Sequence, residues 1–171
     1  PIILCSLDPK ALRAGLENTR GQRPLIYAAT KDNWKDVAGL ATEFNCPVTA
    51  SAPGDLNTVK SLASALSRGG VSGVVLDPGT AYGEGTLGQT LDRFVMLRRA
   101  AIDMADSDVG WPLMGVPALV WARKNGTLTN EEAIELADRE SLLAASLVLR
   151  YADVIVCHTP DMWATLPIVA L

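Results

Sequence analysis

Residues 47–77 read PVTASAPGDLNTVKSLASALSRGGVSGVVLD. The run opens on a short apolar strand, Pro47-Val48-Thr49-Ala50-Ser51. Asp55 then precedes Leu56, Val59, Leu62, Ala63 and Leu66, which share one stripe of a helix. Gly69-Gly70 stops that helix, and Gly73-Val74-Val75-Leu76 forms a second strand. Strand, helix, strand in this order requires parallel strands joined by a right-handed crossover. Both strands are continuously apolar rather than alternating, the pattern of strands covered on both faces.

The same unit recurs on either side. Strands are predicted over residues 2–6, 24–29, 47–51, 73–76, 113–120 and 154–157. Asp8-Pro9 reads as an N-cap with proline at the first helical position. Asp32 precedes Trp34, Val37, Ala38, Ala41 and Phe44 on one stripe. Thr86 opens a long helix with Leu87, Leu91, Phe94, Val95, Ala101 and Ile102 inward and Asp92, Arg93, Arg99 and Asp103 outward. Thr129 and Glu132 form a capping box, Asn125-Gly126 marks a turn, and Thr159-Pro160 starts a last helix that Pro167 bends or ends.

Six strand–helix units fit a doubly wound open sheet or a piece of an eightfold barrel. The uniform units, and the lack of a G-x-G-x-x-G after the first strand, favour the barrel. The expected fold is therefore α/β: a partial TIM (β/α)8 barrel of about six β/α units with parallel strands, one partial domain over residues 1–171. The chain opens inside strand material, so the strands completing the ring are expected before Pro1.

Composition narrows the function. The chain has 171 residues, 49% of them hydrophobic, and a net charge of −4, which argues against nucleic acid as a partner. No apolar stretch approaches the ~20 residues of a membrane span. No signal peptide is visible. Cys5, Cys46 and Cys157 are far apart and form no C-x-x-C pair, which fits a reducing cytoplasm. Cys5 and Cys157 fall in strands and are expected to be buried thiols.

In parallel α/β folds, functional groups gather at the carboxyl ends of the strands. Those ends offer Ser6, Asp8, Thr30, Lys31, Ser51, residues 77–84, Trp121, His158 and Thr159. Cofactor-binding candidates are Thr30, Asp77, Thr80 and His158. The loop from Asp77-Pro78-Gly79-Thr80 to Gly83-Glu84-Gly85 has glycines that would admit an anion to backbone N–H groups, with a helix N-terminus behind. It reads equally as a strand-to-helix turn that needs glycine for its dihedral angles. His158, the only histidine, is a general acid–base candidate or a structural, hydrogen-bonded residue. Trp34, Trp111, Trp121 and Trp163 read as packing residues, and Arg98-Arg99 as a solvated helix face. No catalytic triad or metal cluster can be assembled from these residues.

Several stretches together carry a resemblance. They are residues 24–30 (PLIYAAT), Asn45-Cys46-Pro47, residues 75–80 (VLDPGT) and Arg98-Arg99-Ala100-Ala101-Ile102. Their order and spacing are similar to the central region of the large subunit of the corrinoid iron–sulfur protein, the gamma subunit of the acetyl-CoA decarbonylase/synthase complex. The resemblance implies a middle TIM barrel between a [4Fe–4S] domain before it and a corrinoid (cobalt) domain after it. It implies partners: the small subunit, a pterin methyltransferase, and acetyl-CoA synthase with CO dehydrogenase. It implies a role in moving a methyl group from a methylated pterin to acetyl-CoA synthase in the reductive acetyl-CoA (Wood–Ljungdahl) pathway. No catalytic residue or metal ligand carries over, because the cluster cysteines have no counterpart here. The chain is then a scaffold, not itself catalytic. Its physical logic is that tethering a mobile carrier raises its effective concentration at each partner. The rival readings are a self-contained pterin-binding barrel methyltransferase, with Asp77 on the pterin ring, and a doubly wound module with a phosphate at residues 79–85.

Overall fold

A computed structural model describes residues 2–83, 85–123 and 128–170. The expectations placed on Pro1, Glu84, the Asn125-Gly126 turn and Leu171 lie outside the described residues. Within them the chain alternates as read. The elements are β1 (Ile3–Cys5), α1 (Pro9–Asn18), β2 (Leu25–Ala29), α2 (Trp34–Phe44), β3 (Val48–Ser51), α3 (Leu56–Arg68) and β4 (Val74–Asp77). They continue as α4 (Thr86–Asp103), β5 (Met114–Gly115), α5 (Asn130–Val148), β6 (Val154–Ile155) and α6 (Met162–Val169), with short 3-10 helices at Ser107–Val109 and Pro117–Arg123.

All pairings are parallel. β1 through β4 lie side by side in chain order, and β5 pairs with β6. A parallel bridge between Leu76 and Leu113, with the Leu76 N–H donating to the Pro112 carbonyl at 2.8 Å, joins the two groups. The resulting order, 1-2-3-4-5-6, has no reversal. A doubly wound sheet needs one, so the arc is a partial TIM barrel of six β/α units.

Local chemistry explains the elements. Asp8 caps α1 by accepting from the Lys10 N–H, Asp55 caps α3 by accepting from Thr58, and Thr129 with Glu132 forms the expected box on α5. The apolar stripes of the helices meet one face of the sheet. Leu12, Leu16, Val37, Leu40, Val59, Leu62, Leu66, Phe94 and Leu147 pack there against Ile26, Val48, Ala50, Val74 and Leu76. Each fully buried aliphatic side chain in this layer contributes roughly 1.5–3 kcal/mol. Strand alternation then turns Tyr27, Thr49, Ser51, Val75 and Asp77 to the opposite face.

Several expectations are corrected. Residues 113–120 are not one strand: β5 is two residues long, because Pro117 has no N–H for a ladder and instead starts a 3-10 helix. Asn33, not Asp32, stands at the N-cap of α2. The last helix begins at Met162 and carries Pro167 inside it. Thr159 is held back from that helix by the bond its amide gives to Glu140. Cys5 is exposed on the edge strand and Cys157 is half-buried, while Cys46 is the buried thiol. Leu87 and Ile102 of α4 are exposed as well.

Candidate functional site

The carboxyl ends of β2, β3 and β4 converge on one carboxylate. Asp77, the last residue of β4, is 2% exposed. Its Oδ2 accepts from the Tyr27 hydroxyl at 2.7 Å and from the Ser51 hydroxyl at 2.9 Å. Its Oδ1 accepts from the Gly79 N–H at 2.9 Å. The register explains the meeting, since Ser51 stands opposite Asp77 across β3 and β4. A buried carboxylate is tolerated here because three donors replace its lost water. Burial, then the negative charge of Asp77, pushes the Tyr27 phenol above its ordinary pKa. Thr49 lies on the same face, fully buried, with its hydroxyl unpartnered among the described residues.

Thr80 follows on the loop. It is 8% exposed, and its hydroxyl oxygen accepts from the Val116 N–H at 2.8 Å, tying the β4 loop to the end of β5. Thr30 is engaged elsewhere: its amide and hydroxyl both donate to Asn33 Oδ1, while Asn33 Nδ2 donates to the Leu7 and Ala28 carbonyls. That amide side chain braces the β1 and β2 ends. His158 sits at the far side of the rim, exposed, with its ring centroid 4.4 Å from that of Trp121 and the two planes tilted by 41°. Its backbone N–H and that of Thr159 donate to Glu140 at 2.5 and 2.9 Å. Glu140 is fully buried on α5, so it anchors the loop after β6. Burial and the Glu140 charge push the neighbouring Cys157 thiol up to about 11.

The structure thus brings Asp77 and Thr80 together on one loop and leaves Thr30 and His158 apart from them. Sequence reasoning misses Tyr27, Asn33 and Glu140. A tyrosine inside an otherwise apolar strand, and a glutamate between the buried Leu136 and Leu143 on α5, are the signals that mark two of them. Two further readings change. Arg93 is half-buried, its Nη2 donating to the Gly79 carbonyl and Thr90 Oγ1, and Arg98 pairs with Asp153 at 2.6 Å rather than with solvent. Trp163 is 48% exposed, not packed in the core.

Among the described residues, no three His, Cys, Asp or Glu side chains form a metal-holding group. The three cysteines lie on an exposed edge, in the core and on a half-buried loop, so they do not fit a resident [4Fe–4S] cluster. Among the described residues, no helix is long and apolar enough to cross a membrane.

The strand order and helix packing place the chain among TIM barrels. The dihydropteroate synthase of Thermus thermophilus, solved in complex with 6HMPPP, superposes with a TM-score of 0.64 at 16% identity. The match covers 99% of this chain and 69% of that one. The same enzyme in complex with 4-aminobenzoate gives 0.60 at 17% identity, covering 92% of this chain and 68% of that one. Sequence goes further than fold. The family model for the CO dehydrogenase/acetyl-CoA synthase delta subunit matches residues 1–171, and the chain belongs to that family. The acetyl-CoA decarbonylase/synthase gamma subunit of Methanothermobacter thermautotrophicus is 42% identical over 171 residues, all of this chain and 36% of that protein. Gamma subunit 1 of Methanosarcina mazei is 40% identical, and the gamma subunit of Archaeoglobus fulgidus 38%; each match covers all of this chain and 35% of the relative. The chain spans about a third of the length of these relatives. The resemblance read from the short motifs is borne out.

Proposed function

We propose that this chain is the barrel scaffold of a corrinoid iron–sulfur methyl-carrier subunit acting in the cytoplasm. In this reading a methyl group passes from a methylated pterin to acetyl-CoA synthase on a cobalt carrier held outside these residues. The scaffold docks the small subunit, and the carrier visits the pterin methyltransferase and acetyl-CoA synthase with CO dehydrogenase. Family membership supports the parent complex. The state of Asp77 supports the scaffold: the best-placed carboxylate on the rim has both oxygens engaged by internal donors and joins three strand ends. A group so engaged braces the mouth rather than binding a substrate.

The test is Asp77→Asn in the full-length subunit with its partners. Thermal stability falls, while methyl transfer per folded carrier stays within about tenfold of wild type, a barrier change of ~1.4 kcal/mol. A loss of a thousandfold in methyl transfer with an intact fold would refute the scaffold reading.

The fold shared with dihydropteroate synthases favours a second reading, a pterin pocket at the mouth. Under it, Asp77 exchanges its internal donors for a pterin ring. Calorimetry with methyltetrahydrofolate decides: binding by the full-length protein that vanishes in Asp77→Asn supports the pocket, and no binding by wild type excludes it.

A further inference from the structure

Behind the strand-end network lies a second polar feature that the scaffold role does not use. A solvent-open groove of about 180 Å³ is lined by Pro53, Gly54, Gly79, Thr80, Ala81 and Arg93. It sits between the loop after β3 and the loop after β4, both turned by glycines at positive φ, Gly54 at 83° and Gly79 at 87°. A Cβ at Gly79 would press on the Pro53 backbone at 2.6 Å, while one at Gly54 would meet nothing within 4 Å, so the Gly54 wall is open. Asp77 is not among the lining residues; its Oδ2 is taken by the Tyr27 and Ser51 hydroxyls, and its Oδ1 accepts from the N–H of the lining residue Gly79.

Two donors face this groove without a full set of acceptors. Arg93 is half-buried, and only its Nη2 is used, on Gly79 and Thr90. Its Nε is sealed from solvent and unpartnered among the described residues, so the donor it can offer to the groove is Nη1, which has no partner among them and is not sealed. The other semi-buried arginine of α4, Arg98, is neutralised by Asp153. Arg93 has no carboxylate within ion-pair distance among the described residues. A half-buried guanidinium without a counter-charge is less well compensated than Arg98, and holding a loop carbonyl needs no formal charge. The second donor is Thr80, whose hydroxyl oxygen accepts from Val116 and whose own proton has no acceptor among the described residues.

We propose that this groove is an oxyanion site. It takes the phosphate or carboxylate group of a small ligand on the accessible Nη1 of Arg93 and on the Thr80 hydroxyl. The planar guanidinium matches either group. The site is independent of the methyl-carrier reading, since it needs neither cobalt nor pterin.

The test is calorimetry on the full-length protein at constant ionic strength, with inorganic phosphate in one arm and acetate in the other. Wild type shows saturable one-site binding of at least one of them. Arg93→Gln weakens it about tenfold or more, the effect of losing a charge-assisted hydrogen bond of ~1.5–3 kcal/mol. Because Arg93→Gln also loosens the β4 loop, a second pair keeps the test sharp. Gly54→Asp sets a competing carboxylate at the groove wall and abolishes binding, while Gly54→Asn, equal in size and strain, retains it. No saturable binding of either anion, or equal affinity in Gly54→Asp and Gly54→Asn, overturns the proposal.

Discussion

The Tyr27 hydroxyl donates to the Asp77 carboxylate at 2.7 Å across 50 residues of sequence. With Ser51 on the same oxygen, this contact couples β2, β3 and β4 at their carboxyl ends. The mouth of the arc is therefore held by side chains as well as by the ladder.

Removing the shared acceptor exposes this. Asp77→Ala leaves two hydroxyls and the Gly79 N–H without a partner, and the intact protein loses about 3 kcal/mol or more, from ~1–3 kcal/mol per buried unmatched donor. Asp77→Asn keeps one carbonyl oxygen and loses less. Chemical denaturation of both variants measures the difference; equal midpoints would mean the network is not structural.

The network also sets an alkaline limit. The Tyr27 pKa is raised in the folded state by burial and by Asp77, so the folded protein holds this proton more tightly than the unfolded chain does. The contribution is fully present below the unfolded value of about 10 and is lost as pH rises beyond it. Tyr27→Phe forfeits about 1 kcal/mol at pH 7, and its stability falls less steeply above pH 10. Denaturation at pH 7 and pH 11 checks both.

Glu140 holds the loop after β6 through two backbone amides among the described residues. Glu140→Ala orphans them, and the His158 and Thr159 amides then exchange with deuterium at least about tenfold faster, as a local opening becomes easier by ~1.4 kcal/mol. Amides of β3 keep their protection. Mass spectrometry after peptic digestion reads both segments.

Thiol chemistry separates the cysteines by position. Cys157, with its pKa near 11, has roughly one thiolate in a thousand at pH 8. Cys46 is buried and Cys5 exposed. Iodoacetamide at pH 8 labels Cys5 first, and peptide mapping over time gives the order. Early labelling of Cys157 would contradict the charge that Glu140 places beside it.

Two glycines have unequal reasons to be glycine. A Cβ at Gly79 would lie 2.6 Å from the Pro53 backbone at a φ of 87°, so Gly79→Ala combines a clash with left-handed strain and destabilises by about 2 kcal/mol or more. A Cβ at Gly115 meets the ends of the Leu147 and Ile155 side chains at 2.7 and 3.1 Å, which can swing aside. Thermal denaturation ranks Gly79→Ala as the more damaging.

How much of this was legible follows from what each signal depends on. Helix caps and stripes are local, so Asp8, Asp55 and Thr129 were readable where they stand. The parallel order followed from the alternation of strand and helix. Val116 to Val120 misled because apolar content alone does not separate a strand from a short buried helix, and Pro117 decided the matter. Asp77 stood out as a carboxylate at a strand end, but its partners could not be read. Tyr27 and Ser51 are brought to it by register, a property of three strands at once. Glu140 and Arg93 were hidden for the same reason: a charged residue on a helix reads as solvated until the fold turns that face inward.

The unbroken strand order carries a consequence for synthesis. Each strand pairs with the one made just before it, so the sheet can lengthen as the chain leaves the ribosome, every new unit docking on a finished edge. Tyr27 and Ser51 emerge first and wait with their hydroxyls in water. The nascent mouth locks only when Asp77 arrives.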